Sequence, residues 1–220
     1  MKILVGEKSV YEKLKNLGKA VFVKRDRELI VESDEVKMST NFELERLLEF
    51  LTDLSYDFAV LKGFREEITK VEERYGFKIP VIEDPIDLWN APEIKSLRSI
   101  VEELKKGSER CGAIGIFVGF VRKLEGDKVV KRLEYESFKE MLAEKIAEIE
   151  TKTKNYPRVA GARIYHKLGK LSPGEDIVYI AVVGEHRIDI WEPLRNAVEL
   201  MKNELPIWKK EVFENGERWV

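Results

Sequence analysis

Two lysines, Lys202 and Lys209, stand on either side of a chain break in "MKNELPIWKKEVFENGERWV", with Pro206 and Trp208 between them. A lysine withdrawn from water has a lowered pKa and can act as base or nucleophile, or it can hold an anion. The same spacing also suits two surface side chains with apolar stems and hydrated heads. Periodicity places the two lysines without deciding between the readings. On a helix, Lys202 sits about 40° round from Val198, so it flanks the apolar stripe. On the strand that follows, alternation puts Lys209 on the face of Ile207 and Phe213, and Lys210 on the outer face with Trp208 and Val212. The edge of a partly buried groove is thus open to both Lys202 and Lys209, but spacing alone favours two surface lysines; Lys210 is left to the surface.

Three further groups carry candidate chemistry. In "GEHRIDIWE", Asp189 and Glu192 have the spacing of a capping pair, which would place His186 and Arg187 just before a helix N-terminus. That end favours anions, and the pair adds donors for a phosphate or carboxylate; the plainer reading is a covering arginine and a packed histidine. In "GAIGIFVGFVR", Arg122 closes a strand in which Gly115 and Gly119 imply close approach of a backbone or a ligand. There it would offer a carboxylate or phosphate fork, or simply face solvent. The stretch "ILVGEKS" at residues 3–9 looks like the rim of a phosphate loop. It lacks the glycine-rich wrap of G-x-x-x-x-G-K-[ST], so no nucleotide site is expected there.

With two histidines and one cysteine in the chain, no metal site and no cofactor is expected. Cys111 has no neighbouring base that would make it a nucleophile. His166, within a strand, reads as structural. The single cysteine also rules out a disulfide framework within the chain and suits a reducing, cytoplasmic setting. A net charge of -2 gives no electrostatic case for nucleic acid as a partner. The start "MKILVGEKSV" reads as no signal peptide, and no apolar run approaches the roughly 20 residues of a membrane helix. Charged residues reach 36% and glutamine is absent, a composition that leans towards a thermophilic source.

The elements that must position these groups fall into two parts. Residues 1–90 alternate strand-like runs ("KILVG", "AVFVKR", "ELIVES", "DFAVLKG", "KIPVIED") with helical patterns, the clearest placing Leu44, Leu47, Leu48 and Leu51 on one face. This predicts a smaller α/β domain. The turn-rich "PIDLWNAP" (85–92) reads as the boundary, and "PEIKSLRSIVEELKKG" as a helix running from Pro92 to a stop at Gly107. Residues 91–220 read as an α+β domain. The strands are 112–122, 128–137, "RVAGARIYHKLGKL", "DIVYIAVVGEHR" and a terminal hairpin across "ENG". One helix spans 138–154 with Met141, Ile146 and Ile149 inward. Another spans 189–205 with Ile190, Leu194, Ala197, Val198 and Met201 inward, and Pro206 ends it.

Four stretches, "GAIGIFVGFVR", "HKLGKLSPGEDIVYIAVVGEHR", "LMKNELPIWKKE" and "NGERWV", occur in the order and spacing of the large, catalytic subunit of molybdopterin synthase, and residues 96–220 resemble that family. The resemblance implies an α/β hammerhead fold and a homodimer. Each large subunit would bind a small ubiquitin-like sulfur carrier whose C-terminal Gly-Gly thiocarboxylate enters the site. Two sulfurs would pass in turn to cyclic pyranopterin monophosphate, forming the dithiolene of molybdopterin. It further implies Lys209 as the main catalytic lysine near the carrier's terminus, with Lys202 on substrate and developing charge. Arg122, His186 and Arg187 would hold the pterin phosphate. The family's strand phenylalanine falls on Phe117, and Met201, Pro206 and Ile207 are near enough in sequence to wall a planar pterin. Family members often continue past "R-W-V" with a tail that lends an arginine to the neighbouring subunit. Here that arginine is expected to be missing or replaced, with Arg218 as the candidate.

Residues 1–90 resemble more weakly the P-loop protein that assists guanine-dinucleotide attachment to the same cofactor, in a degenerate form. "DFAVLKGFREE" carries Lys62 where an acidic residue is usual. Two other classes stay open at this stage. One is a non-catalytic scaffold for a ubiquitin-like partner, and the other a nucleotide-binding regulator working through the first domain.

Overall fold

A computed structural model describes the backbone of residues 1–220 and the side chains of all but Trp89 and Asn90. The chain divides into two compact units, Met1–Glu73 with Phe77–Ser99, and Arg74–Gly76 with Ile100–Val220.

The first unit is a five-stranded sheet with helices. In chain order its elements are β1 (Lys2–Val5), α1 (Lys8–Leu14), β2 (Ala20–Arg25), β3 (Leu29–Glu32), β4 (Lys37–Thr40), α2 (Leu44–Asp53), β5 (Phe58–Lys62) and α3 (Glu66–Tyr75). A 3-10 helix, Pro85–Asn90, follows; α4 (Leu97–Lys105) begins in this unit and continues from Ile100 as part of the second. The sheet order is β1-β5-β2-β3-β4. β1, β5 and β2 are parallel, and β3 and β4 complete the sheet antiparallel. Leu44, Leu47, Leu48 and Leu51 are all buried, as their spacing predicts.

Three expectations for this part need correction. "KIPVIED" makes a single bridge, Val5 to Val81, and no strand. Pro80 has no N–H to donate, so β1 takes only the Pro80 carbonyl and the Ile82 amide. The predicted boundary at 85–92 lies inside the first unit, because the chain beyond it is still tied to β1. The Ile3 amide donates to Pro92, and Ile94 donates to Met1. For the same reason α4 starts late. Residues 92–96 are extended, and the helix begins after Ser96, whose hydroxyl accepts from the Ser99 amide at 3.1 Å. Its end is as expected, with Gly107 at φ +75°.

The second unit runs β6 (Ala113–Phe120), β7 (Leu124–Glu125), β8 (Lys128–Ser137), α5 (Lys139–Lys154), β9 (Val159–His166), β10 (Gly169–Leu171) and β11 (Asp176–Gly184). After a 3-10 turn at Arg187–Asp189 come α6 (Trp191–Glu204), β12 (Ile207–Phe213) and β13 (Gly216–Trp219). Two antiparallel sheets result, β6-β11-β9 and β10-β8-β12-β13, with β7 paired to β8. The stretch expected as one strand, 158–171, divides at Lys167–Leu168 and contributes β9 to one sheet and β10 to the other.

Helix α6 covers one face of the first of these sheets. All five residues of its predicted stripe are buried, in a cluster with Ile164, Val178, Ile180 and Val182. Gly115 lets the helix come close: a Cβ there would lie 3.1 Å from Leu194 and 3.2 Å from Ile190. At Gly119 a Cβ would lie 2.9 Å from Val178. Both glycines therefore admit side chains of the core, not a backbone or ligand. On α5 the inward residues are Leu142 and Ile149 with Ile146 partly covered; Met141, one step of about 100° away, is exposed.

Candidate active site

Pro206 links the two lysine-bearing elements. The Leu205 amide still donates to Met201 at 3.3 Å; the chain then turns extended and enters β12. Ser137 fixes the turn by donating its hydroxyl to the Pro206 carbonyl at 2.6 Å. Lys202, in the last turn of α6, is exposed and has no hydrogen-bond or ion-pair partner among the described residues.

Lys209 is held differently. It lies directly opposite Tyr135 of β8, on the face shared with Phe213, and that face packs into a cluster with Val121, Leu133, Leu142 and Leu168. Alternation predicts this placement, and it draws the lysine out of bulk water. Its Nζ donates to Glu211 Oε1 at 2.9 Å. Glu211 is only 5% exposed, and its other oxygen accepts from Arg218 Nε at 3.1 Å and from the terminal guanidinium nitrogen at 2.5 Å. Burial pushes the Glu211 carboxyl up, but the hydrogen bonds from Lys209 and Arg218 outweigh it and leave the group below the usual carboxylate range. An isolated buried carboxylate is costly, and removing one partner of such a pair destabilises by about 3–5 kcal/mol where both are fully buried. Burial, with Glu211 adding its charge, pushes the Tyr135 hydroxyl up to about 12, so a neutral phenol faces Lys209. His166 packs edge-on against Tyr135 at 5.0 Å and donates from Nδ1 to the Lys167 carbonyl at 2.7 Å. Its burial lowers its pKa to about 4, the hydrogen bond opposing, so the ring is neutral.

Lys210 corrects its expected role. It does lie on the outer face, but it pairs with Glu217 at 2.8 Å and sits 5.8 Å over the Trp219 ring, so its side chain is largely covered.

Arg122 follows Val121, which is buried in the same cluster as Tyr135 and Phe213. Its side chain is exposed and pairs with Glu125 at 3.1 Å. Met201 is buried in the α6 cluster, and Phe117, partly buried, packs against that cluster. Pro206 and Ile207 are partly buried, and Ile207 borders the cluster beneath Lys209.

His186 and Arg187 are elsewhere. β6 and β11 pair from Ala113–Gly184 at one end to Phe120–Asp176 at the other. Arg122 follows the Phe120 end; His186 and Arg187 follow the Gly184 end. At about 3.4 Å per residue the ladder keeps them roughly 25 Å apart. Helix α6 starts at the Gly184 end, where Ile190 meets Gly184 and Leu194 meets Gly115, and it runs back, so Lys202 is carried to the Arg122 end. Within one chain, then, Lys202, Lys209 and Arg122 share an end, and His186 and Arg187 do not join them. The capping pair is also rearranged. Asp189 ends a 3-10 turn, where its carboxylate accepts from the His186 amide at 3.0 Å and pairs with Arg158 at 3.0 Å. The α-helix starts later, at Trp191, so His186 and Arg187 do not sit at its N-terminus.

Sequence reasoning missed Glu211. The signal was present: alternation puts it on the inward face between Lys209 and Phe213, and a carboxylate there must find cations.

At the phosphate-loop remnant, only Gly6 and Glu7 separate β1 from α1, and Glu7 pairs with Lys62. Among the described residues no group of three His, Cys, Asp or Glu could hold a metal ion, and no helix is long and apolar enough to cross a membrane.

Comparison with known proteins matches residues 91–204 to the family described as MoaE protein. The molybdopterin synthase catalytic subunit of Bacillus subtilis (strain 168) is 38% identical over 122 residues, 56% of this chain and 76% of that protein. The human molybdopterin synthase catalytic subunit is 31% identical over 182 residues, 82% of this chain and 90% of that protein. Among solved structures, the molybdopterin biosynthesis MoaE protein from Burkholderia ambifaria MC40-6 superposes with a TM-score of 0.50 at 32% identity, covering 58% of this chain and 84% of that one. The family match spans more than half of the chain, and the chain belongs to the MoaE protein family.

Proposed function

We propose that Lys209 and Lys202 form the centre at which this enzyme, a molybdopterin synthase of molybdenum cofactor biosynthesis, moves sulfur onto its pterin precursor. The sulfur source is a thiocarboxylate at the C-terminal Gly-Gly of a small ubiquitin-like carrier. Two sulfurs pass in turn to cyclic pyranopterin monophosphate: at each transfer the thiocarboxylate sulfur bonds to the pterin side chain, water then cleaves the acyl–sulfur bond, and the carrier terminus leaves as a carboxylate. Lys209 meets the thiocarboxylate; Lys202 and Arg122 meet the substrate's phosphate and the charge that develops during transfer. Fixed cations in a site partly shielded from water stabilise such charge far better than hydrated ones. The observation that carries this reading is Lys209 on the inward face of β12, aimed by a buried carboxylate.

The second unit is read as an α/β hammerhead acting as a homodimer in the cytoplasm. Two features favour a second copy. His186 and Arg187 cannot reach the lysine end of their own chain, and β6 is an edge strand exposing Ile116 and Phe120. Two-fold pairing can bring the His186–Arg187 end of one copy to the lysine end of the other. The first unit is read as a P-loop-like fold without a nucleotide site, given its two-residue β1–α1 turn and the Glu7–Lys62 pair. Calorimetry with GTP and Mg²⁺ is expected to give no heat, and a saturable signal would contradict this.

The test is dithiolene formation from purified protein, thiocarboxylated carrier and precursor. Lys209→Ala is expected to bind carrier and fail to turn over. Near-normal turnover would remove the lysine assignment. A wild-type protein that binds carrier without turnover would point to a scaffold instead.

A further inference from the structure

Glu211 lies among apolar side chains, yet it meets two cations: one oxygen goes to Lys209 and the other to Arg218. One buried carboxylate between two cations leaves the cluster with a net positive charge. The second cation is also well fixed. Arg218 is the direct cross-strand partner of Glu211 in the β12–β13 ladder, and its guanidinium lies 5.8 Å over the Phe213 ring. The ladder continues past it, with the Val220 amide donating to the Lys209 carbonyl at 2.8 Å. Lys209, by contrast, has the flexible stem and a single carboxylate contact.

This asymmetry has a consequence for catalysis. To meet a thiocarboxylate, Lys209 must turn away from Glu211. If it were the only counter-ion, that movement would strand a buried negative charge. With Arg218 on the other oxygen, the carboxylate stays compensated, and Lys209 can exchange one anionic partner for another.

We propose that Arg218 is a positioning residue that keeps Glu211 neutralised and so releases Lys209 to engage the carrier's terminal anion during transfer. This rests on the reading of Lys209 as the catalytic lysine. The groups that face Glu211 are Lys209 on its own strand, Arg218 on β13 and Tyr135 on β8, with His166 behind the Tyr135 ring; the Leu133 opposite and the Leu142 and Leu168 beyond are apolar. Protonation of Glu211 at acid pH removes the anchor that aims Lys209. The carboxyl lies below its ordinary value because both cations hold it ionised, so losing Arg218 must raise it. The acid limb of the rate profile then begins at higher pH.

The experiment is single-turnover sulfur transfer at saturating thiocarboxylated carrier, followed across pH, for wild type, Arg218→Ala, Arg218→Lys and Lys209→Ala, with thermal unfolding of each. Arg218→Ala is expected to lower the saturated rate about tenfold, the size of one charge-assisted hydrogen bond. Its acid limb is expected to move up by about one pH unit, the shift that one such bond supports. Arg218→Lys is expected to restore most of both. A folded Arg218→Ala protein with the wild-type rate overturns the proposal. So does a lowered rate with the acid limb unmoved, since a purely structural role of the hairpin would do that. If Arg218→Ala does not fold, Arg218→Gln, which keeps the bulk and loses the charge, takes its place: an acid limb moved up with a lowered rate supports the proposal, and a wild-type rate and limb overturn it. If Lys209→Ala turns over normally, the underlying assignment fails; if Lys209→Ala is inactive while the Arg218 variants behave as wild type, only the role of Arg218 fails.

Discussion

At the Phe120 end of the β6–β11 ladder a lysine is anchored on a carboxylate that is 5% exposed; at the Gly184 end a histidine and an arginine stand in solvent. Both ends gather cations, but only at the first is a cation held against a buried carboxylate. Lys209 is aimed by Glu211, backed by Arg218 and floored by Tyr135. At the other end the carboxylate of Asp189 is taken by the His186 amide and by Arg158, and among the described residues no hydrogen bond or ion pair aims the side chains of His186 and Arg187. The difference teaches that cationic residues gathered by sequence motif need not be gathered in one copy of the fold. A pre-organised half and a presented half are what a shared site requires.

The largest effect that can break this comparison is on turnover. Lys209→Ala is expected to lower it by at least roughly a hundredfold, whereas Lys210→Ala, paired with Glu217 on the outer face, should lower it far less. Equal losses in the two would erase the distinction between inner and outer face. Next is Glu211→Ala. Lys209 and Arg218 are partly exposed and can hydrate once the carboxylate is gone. The loss of stability is therefore expected at about 2 kcal/mol, below the figure for a fully buried pair, and chemical denaturation measures it. The same truncation at Glu217 should cost under about 1 kcal/mol. The smallest effect concerns pH. An unfolded histidine titrates at roughly 6.5 and His166 at about 4, so the stability it contributes is complete above 6.5 and drains away as pH falls towards 4. Unfolding curves across that window should lose about 2 kcal/mol, and His166→Gln should flatten them.

Much of this arrangement was legible in the sequence, for reasons that differ by region. The α6 stripe and the inward turn of Lys209 follow from periods of 3.6 and 2, which burial enforces strictly. Glu211 could have been placed by the same alternation; its partner Arg218 could not, because that contact depends on the register of a hairpin. β4 was unreadable since "KMST" is an exposed edge strand with no apolar face. "KIPVIED" misled because its apolar character reflects the burial of single residues such as Ile82, while Pro80 denies it a ladder. The separation of His186 and Arg187 from the lysines was hidden for another reason. Motif order along the chain says nothing about which end of an antiparallel ladder a residue occupies, and only the pairing of β6 with β11 reveals it.

The measurement that bears most directly on a site shared between two ends uses a mixed dimer. Lys209→Ala and Arg187→Ala chains with different tags would be co-expressed, and dimers carrying one of each isolated and assayed for dithiolene formation with thiocarboxylated carrier. Each variant alone is expected to be strongly impaired. In the mixed dimer one site unites both defects and the other is intact, so about half of wild-type turnover per dimer should return. Mixed dimers no more active than the single variants would contradict the account.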